Sequence, residues 1–399
     1  MKTLLTIERI RDGRVLERRH DYSRSFVKGL MQLLYIAHAQ ILQTSPYDAA
    51  DITGSLRSID SDGYYDTKGT LRVSSPSGLG GLFIPTGGYG GGSSNYAPSH
   101  YPLHYLPGHA IGIVVGINST APMPTDYAML QAVFNGRGGA LAGGSVFDSY
   151  TVGDDTNPVT SYGADRYGGP LFVAVRGFRL SSVRLKMYRT GSPGTLTVSI
   201  RGLRPIGYAD WTSEQNAIVT GTTDGNSLTN VSPGEWREIV FPSSIDIYPG
   251  IPYCIDVRAP SGDSSNLVAI RGKNNVNHAR YGYFLRNASS YYFNTSTVCL
   301  FEAKGSANPE LEYGACEIFG LAVANPNGQF SIRRLFTNNS GAVVTVNECG
   351  IYAAATRYVA YYAGSQSYSH CIARDQVSPG VTVNPGEVLA VTYTPQITV

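Results

Sequence analysis

Charge is scarce in this chain. Asp, Glu, Lys and Arg make up 15% of its 399 residues, against about 25% in an average globular protein. The 31 basic and 29 acidic residues nearly cancel, leaving a formal net charge of +2. That balance offers no phosphate-attracting excess, so direct nucleic-acid binding through electrostatics is not expected. Cysteine is sparse and poorly spaced for chemistry. Cys254, Cys299, Cys316, Cys349 and Cys371 contain no Cys-x-x-Cys pair, which argues against zinc and a disulfide framework and for small buried hydrophobes. Long apolar runs are missing as well. The longest, Phe26 to Leu42, is broken by Lys28, Gln32, His38 and Gln40, so no membrane insertion is expected. Glu8 and Arg9 interrupt the apolar start before a signal core could form, and export by that route is not expected.

Catalytic templates are equally absent. Gly272-Lys273 is followed by Asn274 and sits between strands, so it is no phosphate-binding loop, and the Gly87 to Gly92 cluster does not open a helix. No Gly-x-Ser-x-Gly elbow occurs. Glu235, Glu238, Asp246 and Asp256 could supply a carboxylate pair, but their spacing does not single out any two. His100, His104 and His109 lie among Pro102 and Pro107, which forbid the helix that would make such spacing metal-binding. Asp60, Asp62 and Asp66 resemble half a calcium loop, but its twelfth position is Leu71 rather than Glu. The expectation is a protein that is not an enzyme and holds no metal or cofactor.

What the chain has in quantity is turn chemistry and aromatic surface. Gly accounts for 46 residues and Tyr for 28, with 42% hydrophobic residues, enough to repay the entropy of ordering. Leu5, Ile7 and Ile10 before Asp12-Gly13, with Val15-Leu16 after it, read as a strand pair. From Ser23 the period changes, and Phe26, Leu30, Leu33/Leu34, Ala37 and Ile41 predict a helix over residues 24–42 with Ser23 or Ser25 as its cap. Residues 74–109 read as a Gly/Tyr-rich arm, and Ala110 to Ile117 reads as a buried strand. Between Gly163 and Lys304, short strands of period two predict an antiparallel sandwich. Within it, Val183, Leu185 and Met187 are turned by Gly191-Ser192-Pro193-Gly194 into Leu196, Val198 and Ile200 as a hairpin.

Two stretches carry a resemblance. Arg24-Ser25-Phe26-Val27, Ile113-Val114-Val115-Gly116 with Thr120-Ala121-Pro122 and Asp126-Tyr127, and the C-terminal run from Phe330 to Gly341 come in one order along the chain. With Val344 to Tyr352, Ile372-Ala373-Arg374-Asp375 and Val388 to Tyr393, they resemble structural proteins of tailed bacteriophages. Ser182 to Val198, the Trp236/Phe241 strand and Tyr248 to Tyr253 resemble jelly-roll modules of the carbohydrate-binding type. Together they imply a mainly β protein: a β-rich scaffold with one N-terminal helix, made of residues 1–162 and 311–399, and an inserted antiparallel jelly-roll sandwich at 163–310. They further imply a capsid or tail decoration or fibre component of a virion, assembled in the host cytoplasm and displaying the jelly roll outward. The alternative is a glycan-binding adhesin or receptor-binding module.

The expected partners follow from that resemblance: copies of the chain itself, capsid or tail proteins, and a host-surface glycan. Phe26 and Leu30 on the helix, with Tyr89, Tyr96, Tyr101 and Tyr105 on the arm, are the candidate assembly contacts. The crowd of aromatics at Tyr281, Tyr283, Tyr291 and Tyr292, with Arg286 among them, is the candidate glycan platform, because ring faces stack on sugar C–H groups while guanidinium reads hydroxyls. The competing reading is that half of these rings fill the sandwich core by strand alternation.

Overall fold

Asp12 and Gly13 both take positive φ, 49° and 73°, the geometry of a tight hairpin turn that matches strand twist. This turn joins Lys2–Arg11 to Arg14–Ser23 in antiparallel register. Ser23 pairs with Thr3, so the residue expected to cap a helix ends a strand instead, its backbone engaged by a neighbour. In the computed structural model the described residues are 2–23, 47–50, 56–59, 112–126, 128–137, 144–202, 217–250, 252–276, 278, 280–288, 290–324, 327–359 and 364–398. The expected helix at 24–42 is not seen. It lies outside them, as does the 74–109 arm. Among the described residues the fold is mainly β, without a helix of seven residues or more, and no helix is long and apolar enough to cross a membrane.

The described residues divide into two compact units, one within Met1–Tyr96, His104–Ala140 and Asn308–Val399, the other within Leu141–Ala307. The first contains a six-stranded sheet, ordered Arg14–Ser23, Lys2–Arg11, Val388–Thr398, Asn327–Thr337, Glu310–Ala324 and Phe134–Asn135. A three-stranded sheet of Gly364–Val383, Val344–Val359 and Gly112–Gly116 accompanies it. Leu5, Ile7, Ile332, Phe336, Val391 and Tyr393 of the larger sheet share one core with Ile113, Val115, Val346, Ile351 and Ile372 of the smaller. A separate hairpin pairs Tyr47–Ala50 with Leu56–Ile59.

The other face of the three-stranded sheet holds a buried ion-pair network. Arg374, fully buried, donates from Nε to Glu348 Oε2 at 2.6 Å, from Nη1 to Asp126 Oδ2 at 2.7 Å and from Nη2 to the Thr120 carbonyl at 2.9 Å. Glu348 Oε1 accepts the Gln131 amide at 3.1 Å, and Tyr352 Oη accepts the Met129 amide at 2.7 Å. These bonds tie down the irregular chain between Ile117 and Gln131, whose own backbone partners are few. Burial pushes the Glu348 carboxyl above its ordinary pKa, with Arg374 the main opposing influence. Gly116 lies against this network, and a Cβ there would collide with the Glu348 side chain and the Gln131 carbonyl oxygen.

The second unit is a sandwich. Its seven-stranded sheet runs Thr297–Cys299, Leu267–Asn274, Phe178–Thr190, Phe301–Ala307 and Ser145–Tyr150, with Glu235–Ile247 also paired to Phe178–Thr190 and Thr156–Ser161 to Leu267–Asn274. Strands at 145–150 and 156–161 thus enter it ahead of the turn chemistry at Gly163. The six-stranded sheet runs Val219–Asp224, Thr195–Gly202, Pro252–Arg258, Arg166–Val173, Tyr281–Asn287 and Ser290–Asn294. Val183, Leu185 and Met187 meet Leu196, Val198, Ile200, Tyr253, Ile255 and Val257 in the core between them.

The Gly191 to Gly194 turn is therefore not a hairpin. Phe178–Thr190 and Thr195–Gly202 belong to opposite sheets, and the turn is an arch across the core. Alternation cannot separate the two, because in both cases each strand buries every second residue.

Two expectations follow. Arg374→Met leaves Glu348 buried without its cation and should destabilise the protein by about 3–5 kcal/mol in urea unfolding of the full chain, with Glu348→Gln in the same molecule recovering part of the loss. Cys254, Cys299, Cys349 and Cys371 are buried, Cys316 is half-buried, and burial raises the pKa of every one of these thiols. A thiol reagent at pH 8 should therefore modify at most Cys316 rapidly in the native protein, and all five cysteines after denaturation.

Candidate binding face

The outward sides of the two sheets in the second unit arrange their ion pairs differently. On the seven-stranded sheet nearly every cation has a carboxylate of its own: Arg179 with Asp246 at 3.2 Å, Arg184 with Glu302 at 2.7 Å, Arg237 with Glu235 at 2.6 Å, Lys304 with Glu238 at 2.9 Å and Lys273 with Asp155 at 2.5 Å. Lys186 and Arg271 share Asp154. Three of the four carboxylates available for catalysis by sequence, Glu235, Glu238 and Asp246, are thus structural ion-pair partners here, and Asp256 lies on the opposite sheet. Lys273 is likewise committed.

On the six-stranded sheet, the residues that alternate with the core form a different surface. Tyr167, Leu171, Cys254 and Phe284 make a small buried apolar cluster of their own. In strand register, Thr197 pairs with Arg258 and Tyr167 with Arg286. The Arg258 guanidinium carbon lies 3.8 Å from the Tyr167 ring centroid, and that of Arg286 lies 5.3 Å from it. Arg286 Nη1 also donates to Tyr167 Oη at 3.0 Å. A guanidinium over a tyrosine face is an attractive contact of about 0.5–2 kcal/mol.

One carboxylate serves two of the arginines. Asp256 Oδ2 accepts Arg201 Nε at 2.9 Å and Arg258 Nε at 2.8 Å, while Asp256 Oδ1 is buried without a hydrogen-bond partner. Arg286 lies 3.6 Å from Asp165, a carboxylate that is 74% exposed, and its Nε donates to the Ala288 carbonyl at 3.0 Å. The face carries three guanidinium groups, two of them on Asp256 and the third 3.6 Å from Asp165.

Beside Tyr167, Gly168 and Gly169 let the strand Arg166–Val173 run close to both neighbours. A Cβ at Gly168 would strike the Phe284 carbonyl oxygen, and one at Gly169 the Ile255 carbonyl oxygen.

The predicted platform is only partly assembled. Arg286 is on the face just described. Tyr281 is buried in the sandwich core, donating to Asp148, accepting from Arg280 at 2.5 Å and stacking on His278 at 4.3 Å. Tyr283 packs against the same core. Burial raises the Asp148 carboxyl pKa above its ordinary value against the pull of Tyr281 and Arg280, and burial lowers that of His278. Tyr291 and Tyr292 stand opposite Arg286 and Leu285 in backbone register, and their side chains lie outside the described residues. So do Phe26, Leu30, Tyr89, Tyr96, Tyr101 and Tyr105, the three loop histidines and the Asp60 to Asp66 turn.

Sequence reading missed Tyr167, Arg201 and the pairing of Asp256 with Arg258. The signal was present in the alternation of Cys254, Asp256 and Arg258 with core residues, but which sheet that strand joins is not a local property. In comparisons with protein-family models, curated proteins and solved structures, none matches the chain.

Gly169→Ala should cost about 1–3 kcal/mol of stability through overpacking, seen as a lowered melting temperature. Asp148 supplies a pH test. Its carboxyl holds a proton more tightly in the fold than at its ordinary 3.8, so wild type should gain stability relative to Asp148→Asn as pH falls through that raised value. An unchanged difference between pH 7 and pH 4 would show the carboxyl to be unshifted.

Proposed function

We propose that this chain is a non-enzymatic structural protein of a tailed-bacteriophage virion, with the Arg374-centred sandwich as its assembly scaffold and the second sandwich as a jelly-roll module that binds saccharide. The binding half is carried by the Arg258–Tyr167–Arg286 row, in which two guanidinium groups are held against the buried Tyr167 ring and the Arg258 side chain is 30% exposed. Guanidinium and amide donors beside aromatic rings suit hydroxyl-rich ligands.

The scaffold half is supported by where the motifs that resemble phage structural proteins fall. Gly116, Thr120, Asp126, Glu348, Tyr352 and Arg374 all lie in or against one buried network, a structural rather than a catalytic use of these motifs. Copies of the chain and capsid or tail proteins are its partners in this reading. The edge strand Arg14–Ser23 suits such contacts, exposing Val15, Leu16 and Tyr22 at a sheet margin where backbone groups can pair with another strand. The second reading, a glycan-binding adhesin or receptor-binding protein, draws on the same arginine row.

The full-length protein should be retained on at least one class of an array of bacterial surface polysaccharides, and Arg258→Ala should weaken retention about tenfold, the loss of one charge-assisted contact. Retention by no polysaccharide removes the binding half. Sedimentation at rising concentration should give multiples of the chain mass. A monomer at every concentration speaks for the adhesin over the scaffold.

A further inference from the structure

We propose that copies of this chain join head to tail through the two margins of the six-stranded sheet in the first unit, the Glu310–Ala324 strand of one copy taking the Arg14–Ser23 strand of the next as its neighbour. The proposal rests on the reading of the first unit as an assembly scaffold and specifies the surfaces that assemble.

The two margins are built differently. Arg14–Ser23 carries Arg14, Glu17, Arg18, Arg19 and Asp21, charges of the kind that guard an edge against indiscriminate pairing. Glu310–Ala324, at the far end of the sheet, has no such guard. From Gly314 to Ala324 its single charge is Glu317, and among the described residues no strand pairs with its open side beyond Leu311. Gly314, Ala315, Glu317 and Phe319 to Ala322 are all exposed, Phe319 by 46% and Leu321 by 77%. An apolar edge of this length without its own protection calls for a partner strand.

The opposite margin of a second copy fits this edge in direction, in apolar surface and in charge. Each pairing from Arg14–Ser23 across the sheet to Glu310–Ala324 is antiparallel, so the two margins run the same way and meet as parallel strands when one copy follows another. The sheet's exposed large apolar side chains gather at its ends: Val15, Leu16 and Tyr22 at one, Phe319 and Leu321 at the other, with Leu335 on the adjacent strand. Leu5, Ile7 and Ile332 face the core. Register therefore puts Arg18, His20 and Tyr22 on the outward side of one margin, and Glu317 and Phe319 on the outward side of the other. One alignment brings Glu317 beside Arg18 of the next copy, Phe319 beside its His20, and the bulge after Phe319 against its Tyr22. No described residue engages the Glu317 carboxylate, and Arg18 gives only its Nε to Glu8, with the side chain 56% exposed. A two-fold contact of Glu310–Ala324 with itself would set Glu317 against its own copy or an apolar residue, and would leave the other margin bare. Head-to-tail contact covers both margins of every copy, and closes into a ring where the rotation allows.

The test uses the full chain. Tyr22→Cys and Leu321→Cys chains, carrying different tags and expressed together, should be joined to each other by a short bismaleimide. Each variant expressed alone should crosslink no more than wild type, which controls for the native cysteines. Leu321→Lys places a guard charge on an exposed position, and should weaken self-association about tenfold in sedimentation while the melting temperature stays near that of wild type. Crosslinking within either variant alone reveals a two-fold contact and overturns the proposal. So does an assembly that forms without the mixed crosslink, or a Leu321→Lys protein that assembles as wild type does; in all these cases the scaffold reading stands. A wild-type chain that is monomeric at every concentration removes the scaffold reading and this proposal together. The sedimentation of wild type and the crosslinking need no Lys variant, so a misfolded Leu321→Lys protein leaves the proposal falsifiable.

Discussion

A buried guanidinium organises the first unit. Arg374 is fully enclosed and spends three of its donors on Glu348, Asp126 and the Thr120 carbonyl. A charge in that position is tolerable only with its partners in place, since an unpaired buried ion costs several kcal/mol. The requirement propagates outward. Glu348 must sit on the neighbouring strand, the segment from Ile117 to Gln131 must fold back to supply Asp126 and backbone groups, and Gly116 must leave room for the Glu348 side chain. On the opposite side of the same sheet, Cys349 and Asp375 meet the Tyr393 hydroxyl at 3.2 and 2.9 Å, linking the small sheet to the large one through the core.

The second unit solves a different problem. Its core is mostly apolar, with Asp148 buried against the Tyr281 hydroxyl, and most of its ion pairs lie on the outward sides of its sheets. One side is a lattice of matched ion pairs. The other places two arginines against the buried Tyr167 ring, and the Gly168-Gly169 pair keeps the supporting strand close to its neighbours.

Within the second unit, among the described strands, sequential strands cross between sheets more often than they pair as hairpins, and the first unit has crossings of the same kind. In the first unit Asn338 stands where two of them meet: its Nδ2 donates to the Val383 carbonyl at 2.7 Å, and its backbone NH to the Glu387 carbonyl at 2.9 Å. The strands on either side of the Asn338 to Gly341 turn lie in different sheets, as do those flanking Asn384-Pro385-Gly386. Turn chemistry announced each reversal correctly. Gly341, Gly386, Gly191 and Gly194 all take positive φ. Whether the chain then paired with the strand it had left or crossed the core was not announced, because the same four residues serve both.

The sequence by itself determined the class of this protein and most of its core. Period-two patterning identified Val183, Leu185, Met187, Leu196, Val198, Ile200, Tyr253, Ile255 and Val257 as inward residues, and each is buried. It also marked Ile113, Val114 and Val115 as a buried strand. Alternation is a property of neighbours in the chain, so local reading suffices for it. Tertiary structure alone decided that Tyr281 lies in the core while Tyr167 and Arg258 share a sheet face, and that Arg374 and Glu348 close on Asp126 from far along the chain. Those contacts depend on which strands lie side by side and in what register. That is set by the packing of whole sheets, and no short window of residues carries it.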